Sequence, residues 1–211
     1  MAVVSSPVDV CNLAQDHVGQ PPIASISPPG TDAEILIARN YDKNRRQLLR
    51  KGVWNFAKRR VLLSRDATAP AFDYADRYLL PADYIRFLSV GGYSEKDQNK
   101  LFDISEKYVL INNDGSASLK LRYIADITDV SKWDDLFVNL LALYIARDIA
   151  YPLTKDEAVV KRINDLISIE TPDAFGTDGQ ERPPVRIQRS KWLDARRTGV
   201  ISPGYYVDFE E

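Results

Sequence analysis

The spacing of hydrophobic residues along the chain changes twice, from helix-like to strand-like and back. Apolar side chains recur every three to four residues near both ends of the first 170 residues, and every second residue in between. This pattern predicts helices at residues 6–18, 32–52, 132–151 and 154–170, with a β region at 58–125. The predicted fold class is α+β, a bundle of about four helices with an extended C-terminal arm. A small antiparallel β-hairpin or sheet region is inserted between the second and third helices.

Capping residues locate the ends of the first two helices. Ser6, followed by a proline, is typical of a helix start, and Gly19 comes directly after the predicted last turn. Thr31 or Asp32 is expected to cap the second helix. Gly52 is expected to end it, because glycine is the residue that most often follows a helix.

Two segments of the β region alternate apolar and polar residues as strands do. The first runs from Phe102 to Leu110 and the second from Leu119 to Tyr123. Residues 112–115, which read Asn-Asn-Asp-Gly, lie between them and tolerate the positive φ of tight turns. We therefore predict a hairpin with one apolar and one solvated face. Residues 60–64 and 74–80 are further candidate strands.

The third predicted helix is apolar on nearly every side, so it is expected to be buried within the fold or between subunits. Pro152 is predicted to end this helix, and Thr154 to cap the next. The apolar stretch of the third predicted helix is about 11 residues long, which is short of the roughly 20 that a membrane-spanning helix needs. The chain also starts without a secretion signal. Both observations predict a protein made in a cytoplasm-like compartment, with no membrane partner.

The helical period fails from Thr171 onward. The remaining residues hold several prolines and glycines and only scattered apolar side chains. A segment of this composition has no core of its own. We predict a body at residues 1–170 and a C-terminal arm at 171–211, which is either disordered or laid along a partner.

Composition excludes several kinds of chemistry. The 211 residues include one Cys and one His, which rules out an internal disulfide, a multi-His metal centre and a Cys-rich zinc site. Cys11 is predicted to be a small buried residue, and His17 to be structural or at the surface. Adjacent carboxylates at residues 134–135 and 156–157 are explained by helix starts. We predict no catalytic residues, no cofactor and no metal.

The net charge of −2 hides a strong segregation of charge along the chain. Residues 39–65 carry ten cations against one acid, so this segment is +9 and the rest of the chain is −11. A second basic stretch lies at residues 182–197. Such segments favour a surface facing nucleic acid or an acidic protein. The alternative is a solvated helix face neutralised by the protein's own carboxylates.

Aromatic residues near these cations allow two interpretations. Trp54 and Phe56 follow an amphipathic helix, where aromatic residues usually anchor the helix to the core, as we also predict for Trp133. The alternative for the first two is a stacking platform for single-stranded nucleic acid. Trp192 lies among cations of the arm and is expected to dock into a partner pocket, since Trp and Arg dominate interface energetics. The alternative is a chance Trp in a disordered tail.

One stretch of the sequence resembles a known family. Residues 38–59, ARNYDKNRRQLLRKGVWNFAKR, look like the head-to-tail adaptor proteins of short-tailed bacteriophages, also called tail tubular protein A or head-completion proteins. Residues 78–84, YLLPADY, resemble the Tyr-x-Leu-Pro-x-Asp segment of that family. The resemblance covers roughly residues 5 to 170, and the tail matches in character more than in sequence.

The resemblance implies a structural role at the head–tail junction of a virion, in a protein made in the cytoplasm of a bacterial host. Family members form a dodecameric ring beneath the portal protein, offer a platform for the tail nozzle protein, and let genomic DNA pass through the lumen. Their C-terminal arm embraces the portal or a neighbouring subunit. For this chain, the expected arm-docking residues are Arg186, Arg189, Lys191, Trp192, Arg196 and Arg197. The expected basic partner- or lumen-facing residues are Arg39, Lys43, Arg46, Arg50, Lys58 and Arg59.

Two other functions stay open at the level of sequence. Some adaptors of this family are credited with cell-wall glycosidase activity, which a peptidoglycan zymogram with carboxylate variants separates from a passive ring. A free nucleic-acid-binding protein is the other alternative, and steep loss of DNA affinity with salt would favour it.

Overall fold

A computed structural model of the chain describes residues 4–94, 98 and 101–181. Within these residues the chain folds as α+β, with α-helices on either side of a β region, as the hydrophobic pattern predicts. The helices are α1 (Pro7–Val18), α2 (Asp32–Lys51), α3 (Asp135–Thr154) and α4 (Glu157–Gln180). The strands are β1 (Lys58–Ser64), β2 (Asp76–Leu79), β3 (Tyr84–Val90), β4 (Phe102–Ser105), β5 (Tyr108–Ile111) and β6 (Ser118–Ala125).

Capping boxes begin the first two helices where the sequence predicts them. The Ser6 hydroxyl accepts from the Asp9 amide of α1, and the Asp9 carboxylate accepts from the Ser6 amide. Thr31 and Glu34 make the same reciprocal pair at the start of α2. The helix ends at these positions are therefore decided by residues that are neighbours in sequence.

The predicted boundary between the third and fourth helices is wrong. Pro152 does not end the helix but lies inside α3, two residues before its last residue, although proline lacks the N–H that a helical residue donates. Lys155 ends α3 instead, with a left-handed φ of 56°. The cap of α4 is Asp156 rather than Thr154, because the Asp156 side chain accepts from the Ala158 amide. At its other end α3 begins at Asp135, three residues after the predicted start.

The predicted end of the fourth helix at residue 170 is also wrong. Helix α4 continues to Gln180 and carries Pro172 within it. Ala174 is buried, and the Phe175 ring lies 5.3 Å from that of Trp54, so this last part of the helix packs on the body. The folded body therefore extends past the predicted boundary at 170/171, and the arm residues from 182 onward lie outside the described part of the chain.

The strands form two three-stranded antiparallel sheets. The first sheet has the order β1-β6-β3 and the second has the order β2-β5-β4. The predicted hairpin across residues 112–115 is wrong, because β5 and β6 belong to different sheets. The loop between them binds to β2 instead, since the amides of Asn113 and Gly115 donate to the buried Asp76 carboxylate. The turn residues do adopt positive φ, with 48° at Asp114 and 72° at Gly115.

An aromatic cluster joins the helices to the start of β1. Trp54 is fully buried, and its ring lies 5.1 Å from that of Phe137 on α3. Trp54 Nε1 donates to the Leu48 carbonyl at 3.1 Å. A Cβ at Gly52 would lie 2.5 Å from Trp54 Nε1, so close packing requires glycine where α2 ends. Burial excludes Trp54 as a stacking platform for single-stranded nucleic acid.

The other two predicted anchors belong to the same cluster. The Phe56 ring is half-buried and lies 5.0 Å from the Phe137 ring. The Trp133 ring lies 5.2 Å from the same phenylalanine, and its Nε1 donates to the Ile127 carbonyl at 3.1 Å. Phe137 of α3 is thus the residue around which the aromatic rings gather.

Helix α3 is buried within the fold. It packs against α1, α2 and α4. By length and composition it resembles a membrane-spanning helix, since an 18-residue stretch of it has a mean hydropathy of 1.4, but 61% of that stretch is buried inside the body. The core helix of a globular body has the same composition. The apolar pattern of α3 is therefore accounted for by packing inside one chain, without a neighbouring subunit.

Candidate interaction surfaces

The predicted basic surface divides into a stripe on α2 and two residues on β1. The four cations of the stripe are Arg39, Lys43, Arg46 and Arg50, which are all exposed. Lys43 Nζ lies 2.7 Å from Asp148 Oδ2, and Arg46 Nε lies 3.7 Å from Asp126 Oδ2. Arg50 donates to a backbone carbonyl of β3 at 2.9 Å. The protein's own groups therefore engage most of this stripe.

Lys58 and Arg59 do not extend the stripe. They are consecutive on β1, and consecutive side chains of a strand point to opposite faces of its sheet. Arg59 Nη1 pairs with Asp83 Oδ2 at 3.1 Å, and Lys58 Nζ donates to Asn55 Oδ1. The structure does not bring all six predicted cations together on one surface.

The most buried cation of the basic segment is structural. Arg45 is 4% exposed and forms an ion pair with Asp126, which follows β6. It also pairs with Asp42 at 3.0 Å and donates to the Ile127 carbonyl at 3.1 Å. Arg45 thus fastens α2 to the end of the first sheet and is inaccessible to a partner.

Asp148 on α3 is the acid that holds α2 and α3 together. Its Oδ2 accepts from Asn44 Nδ2 at 3.0 Å and pairs with Lys43, while its Oδ1 accepts from Arg147 Nη2 at 2.8 Å. Burial opposes ionisation of this carboxyl, but the hydrogen bonds from these three residues prevail and lower its pKa below the usual value.

We expect Asp148→Asn to reduce the free energy of unfolding at pH 7 by about 1–2 kcal/mol, because two charge-assisted hydrogen bonds are lost. The folded-state pKa is lower than the unfolded one, so this stabilisation is present above the unfolded value of 3.8 and disappears as pH falls through the folded one. Urea unfolding across pH 2.5–7 checks this. The exposed Asp16→Asn is the matched control, and an equal loss from both variants would contradict the assignment.

The structure reveals a basic surface that the sequence analysis missed, on the open face of the first sheet. We call it the sheet patch, and it consists of Arg60, Leu62, Lys120 and Arg122. Strands β1 and β6 place Arg60 directly opposite Arg122, and Leu62 opposite Lys120. All four side chains are exposed, with Leu62 at 64%. Together with Val61 and Leu121 they line a shallow groove of about 320 Å³.

The charges of the sheet patch are uncompensated in the part of the chain that the structure describes. Within the described residues, none of its three cations has an ion-pair partner. Like charges directly opposite each other on a sheet repel. Arg60 and Arg122 are in that position, and a second cleft of about 380 Å³ opens beside them, lined also by Asn55, Lys58, Arg59 and Leu88. The alternation of Arg60 with Leu62 was visible in the sequence, but the pairing with β6 was not.

The residues with potential nucleophilic or acid–base chemistry have structural explanations. Cys11 is fully buried, and burial raises the pKa of its thiol to about 12, so it stays protonated. His17 is half-buried, and burial lowers its pKa. Asp134 and Asp156 cap α3 and α4 through their side chains. In the described part of the chain no three His, Cys, Asp or Glu residues form a group suited to a metal ion.

The predicted arm residues, Arg186, Arg189, Lys191, Trp192, Arg196 and Arg197, lie outside the described residues. Comparison with known proteins assigns no family to the chain, since no protein-family model matches it and no curated protein matches it significantly. The functional argument therefore depends on the residues themselves and on the surfaces described above.

Proposed function

We propose that this chain is the head-to-tail adaptor subunit of a short-tailed bacteriophage. In this proposal it assembles as a dodecameric ring under the portal protein, completes the head, and provides the platform to which the tail nozzle protein attaches. Genomic DNA passes through the lumen of the ring. The protein acts at the head–tail junction of the virion, without catalytic chemistry.

The observation that carries the proposal is the resemblance of residues 38–59 and 78–84 to that family. In the structure the first segment comprises the second half of α2, the buried Trp54 and the start of β1. The second comprises the end of β2, the turn at Pro81 and the start of β3. Arg59 of the first segment pairs with Asp83 of the second at 3.1 Å, so the two segments meet in one connected unit. Both segments thus contribute to the junction of helices and sheets.

The charge distribution is a second support. Internal pairing with acids engages much of the basic segment, which argues for a folded body with limited surfaces for partners rather than for a general nucleic-acid-binding face. The second basic stretch follows directly after α4, with Trp192 among its cations. An arm that becomes ordered on docking loses conformational entropy, so it binds where several portal subunits supply a complete surface.

We expect a chain that ends at Glu181 to keep the melting temperature of the body and to lose attachment to portal-containing heads of the same phage. The reason is that residues 182–211 hold the Trp and Arg anchors, whereas the packed helix α4 is intact. Co-sedimentation of the protein with heads that lack the adaptor measures attachment. The matched variant is the full chain with Trp192→Ala, Arg189→Ala and Arg196→Ala, for which the same loss is expected. Undiminished attachment of the shortened chain would contradict the role of the arm.

A further inference from the structure

Helix α4 exposes an acidic stripe with an apolar centre. We call it the helix stripe, and it consists of Asp165, Ile169 and Asp173, spaced four residues apart on one face. Ile169 is 67% exposed. The opposite face of α4 packs on the body, where Ile163 and Ala174 are buried. Within the described residues, neither acid of the stripe has an ion-pair partner.

The helix stripe and the sheet patch are complementary. Each has one large exposed aliphatic side chain, Ile169 on the helix and Leu62 on the sheet. Acids lie on both sides of Ile169 along the helix, whereas the cations lie across from Leu62 and on one side of it along the strands. Asp165 and Asp173 of the helix stripe lie about 12 Å apart along the helix axis. In the sheet patch, the Arg60–Arg122 pair lies about 7 Å from the Leu62–Lys120 pair along the strands. Long Arg and Lys side chains span the difference between these two lengths.

We propose that the helix stripe of one copy of this chain docks on the sheet patch of the next copy. Ile169 then covers Leu62, while Asp165 and Asp173 neutralise Arg60, Arg122 and Lys120. The contact joins two different surfaces, so every copy has one neighbour on each side, and repetition gives a closed ring or an open filament. This proposal deepens the adaptor function. The choice of a closed ring over an open filament rests on that proposed function.

A second copy fits the patch better than nucleic acid does. A phosphate backbone would neutralise the cations but offer no apolar group to Leu62, which is 64% exposed in the groove. Interfaces between proteins combine apolar and charged contacts, and each of the two surfaces offers one exposed aliphatic side chain beside its charges. The repulsion between Arg60 and Arg122 is relieved when carboxylates lie across from them.

Charge reversal tests the contact. The patch variant carries Arg60→Glu and Arg122→Glu, and the stripe variant carries Asp165→Lys and Asp173→Lys. In sedimentation velocity at low salt, we expect the full chain to form oligomers and each variant alone to remain monomeric. A mixture of the two variants should form oligomers again, because the intact stripe meets the intact patch and the reversed stripe meets the reversed patch. All four substitutions in one chain should restore oligomers, and the control reversals Lys107→Glu and Asp16→Lys should change nothing.

A cross-linking pair serves if a reversal impairs folding. We expect a chain with Leu62→Cys and a chain with Ile169→Cys to form a disulfide-linked dimer on oxidation with diamide, while the buried Cys11 stays unreacted. The exposed Phe72→Cys replaces Leu62→Cys in the control mixture and should give no such product.

Several results would overturn the contact. The first is a full chain that stays monomeric up to about 0.5 mM, a concentration at which even weak complexes form. The second is a set of oligomers that persist in both charge-reversal variants. The third is a patch reversal that abolishes binding to a 20-base-pair DNA duplex but leaves self-association intact. Portal attachment is measured separately on the same variants. Association without portal attachment would contradict the adaptor function alone, and portal rings insensitive to both reversals would contradict this contact alone.

Discussion

Replacing Trp54 with alanine is expected to lower the free energy of unfolding by about 3–5 kcal/mol, the range for deleting a buried aromatic side chain. Trp54 is fully buried and meets the rings of Phe56, Phe137 and Phe175 at centroid distances of 6.1, 5.1 and 5.3 Å. The substitution leaves a cavity among three rings and removes the hydrogen bond to the Leu48 carbonyl. The neighbouring rings belong to different elements, so collapse into the cavity would disturb all of them.

Chemical denaturation of the chain ending at Glu181 measures this loss. For a body of this size, the expected change corresponds to a fall of roughly 10–15 °C in melting temperature. Phe72→Ala is the matched control, since Phe72 is 75% exposed, and its effect should stay within about 0.5 kcal/mol. A loss of less than about 1 kcal/mol for Trp54→Ala would contradict the placement of Trp54 in the core.

Ending the chain at Glu170 is expected to cost about 2–4 kcal/mol relative to ending it at Glu181. The shorter chain lacks Ala174 and Phe175, so the Trp54 ring is uncovered on one side. It also lacks Asp178, whose carboxylate and carbonyl accept from the Asn55 amide and side chain at 2.7 and 2.8 Å. These contacts fasten the end of α4 to the start of β1.

Urea unfolding of the two shortened chains compares their stability directly. Phe175→Ala in the longer chain isolates the ring contact and should account for the larger part of the loss. Thr177→Ala, an exposed position on the same turns and outside the helix stripe, is the control and should have little effect. Equal stability of the two chains would mean that residues 171–181 are not part of the folded body.

The elements that the sequence predicts correctly are those decided by neighbouring residues. Ser6 with Asp9 and Thr31 with Glu34 form capping boxes that need only local contacts, so the starts of α1 and α2 follow from the sequence. The same holds for the left-handed turn at Asp114 and Gly115. Its φ values were predictable, but the partner of the following strand was not, because Asp76 of another strand binds the loop.

The elements that the sequence mispredicts depend on distant contacts. Pro172, Gly176 and Gly179 all favour the end of a helix, yet α4 continues past them because Phe175 packs on Trp54. Pro152 also lies inside a helix, two residues before the end of α3, so a proline in the sequence does not by itself locate the end of a helix. Strand β3 was not predicted at all, and its side chains are mostly half-buried without clear alternation.

The candidate surfaces follow the same division. The stripe of cations on α2 was predictable from helical spacing, but its pairing with Asp148 and Asp126 required the fold. The sheet patch depends on the register of β1 with β6, which brings Arg60 to Arg122 across a separation of more than 60 residues. A period-two pattern indicates that a strand exists and does not reveal which strand lies beside it.

Imaging the full chain mixed with the portal protein of the same phage tests the central claim most directly. In negative-stain electron micrographs we expect an added ring of density on the tail-facing side of the portal, with twelve subunits, and its loss when the chain ends at Glu181. Bare portal particles at a saturating concentration of the full chain would contradict the proposal that this protein is a head-to-tail adaptor.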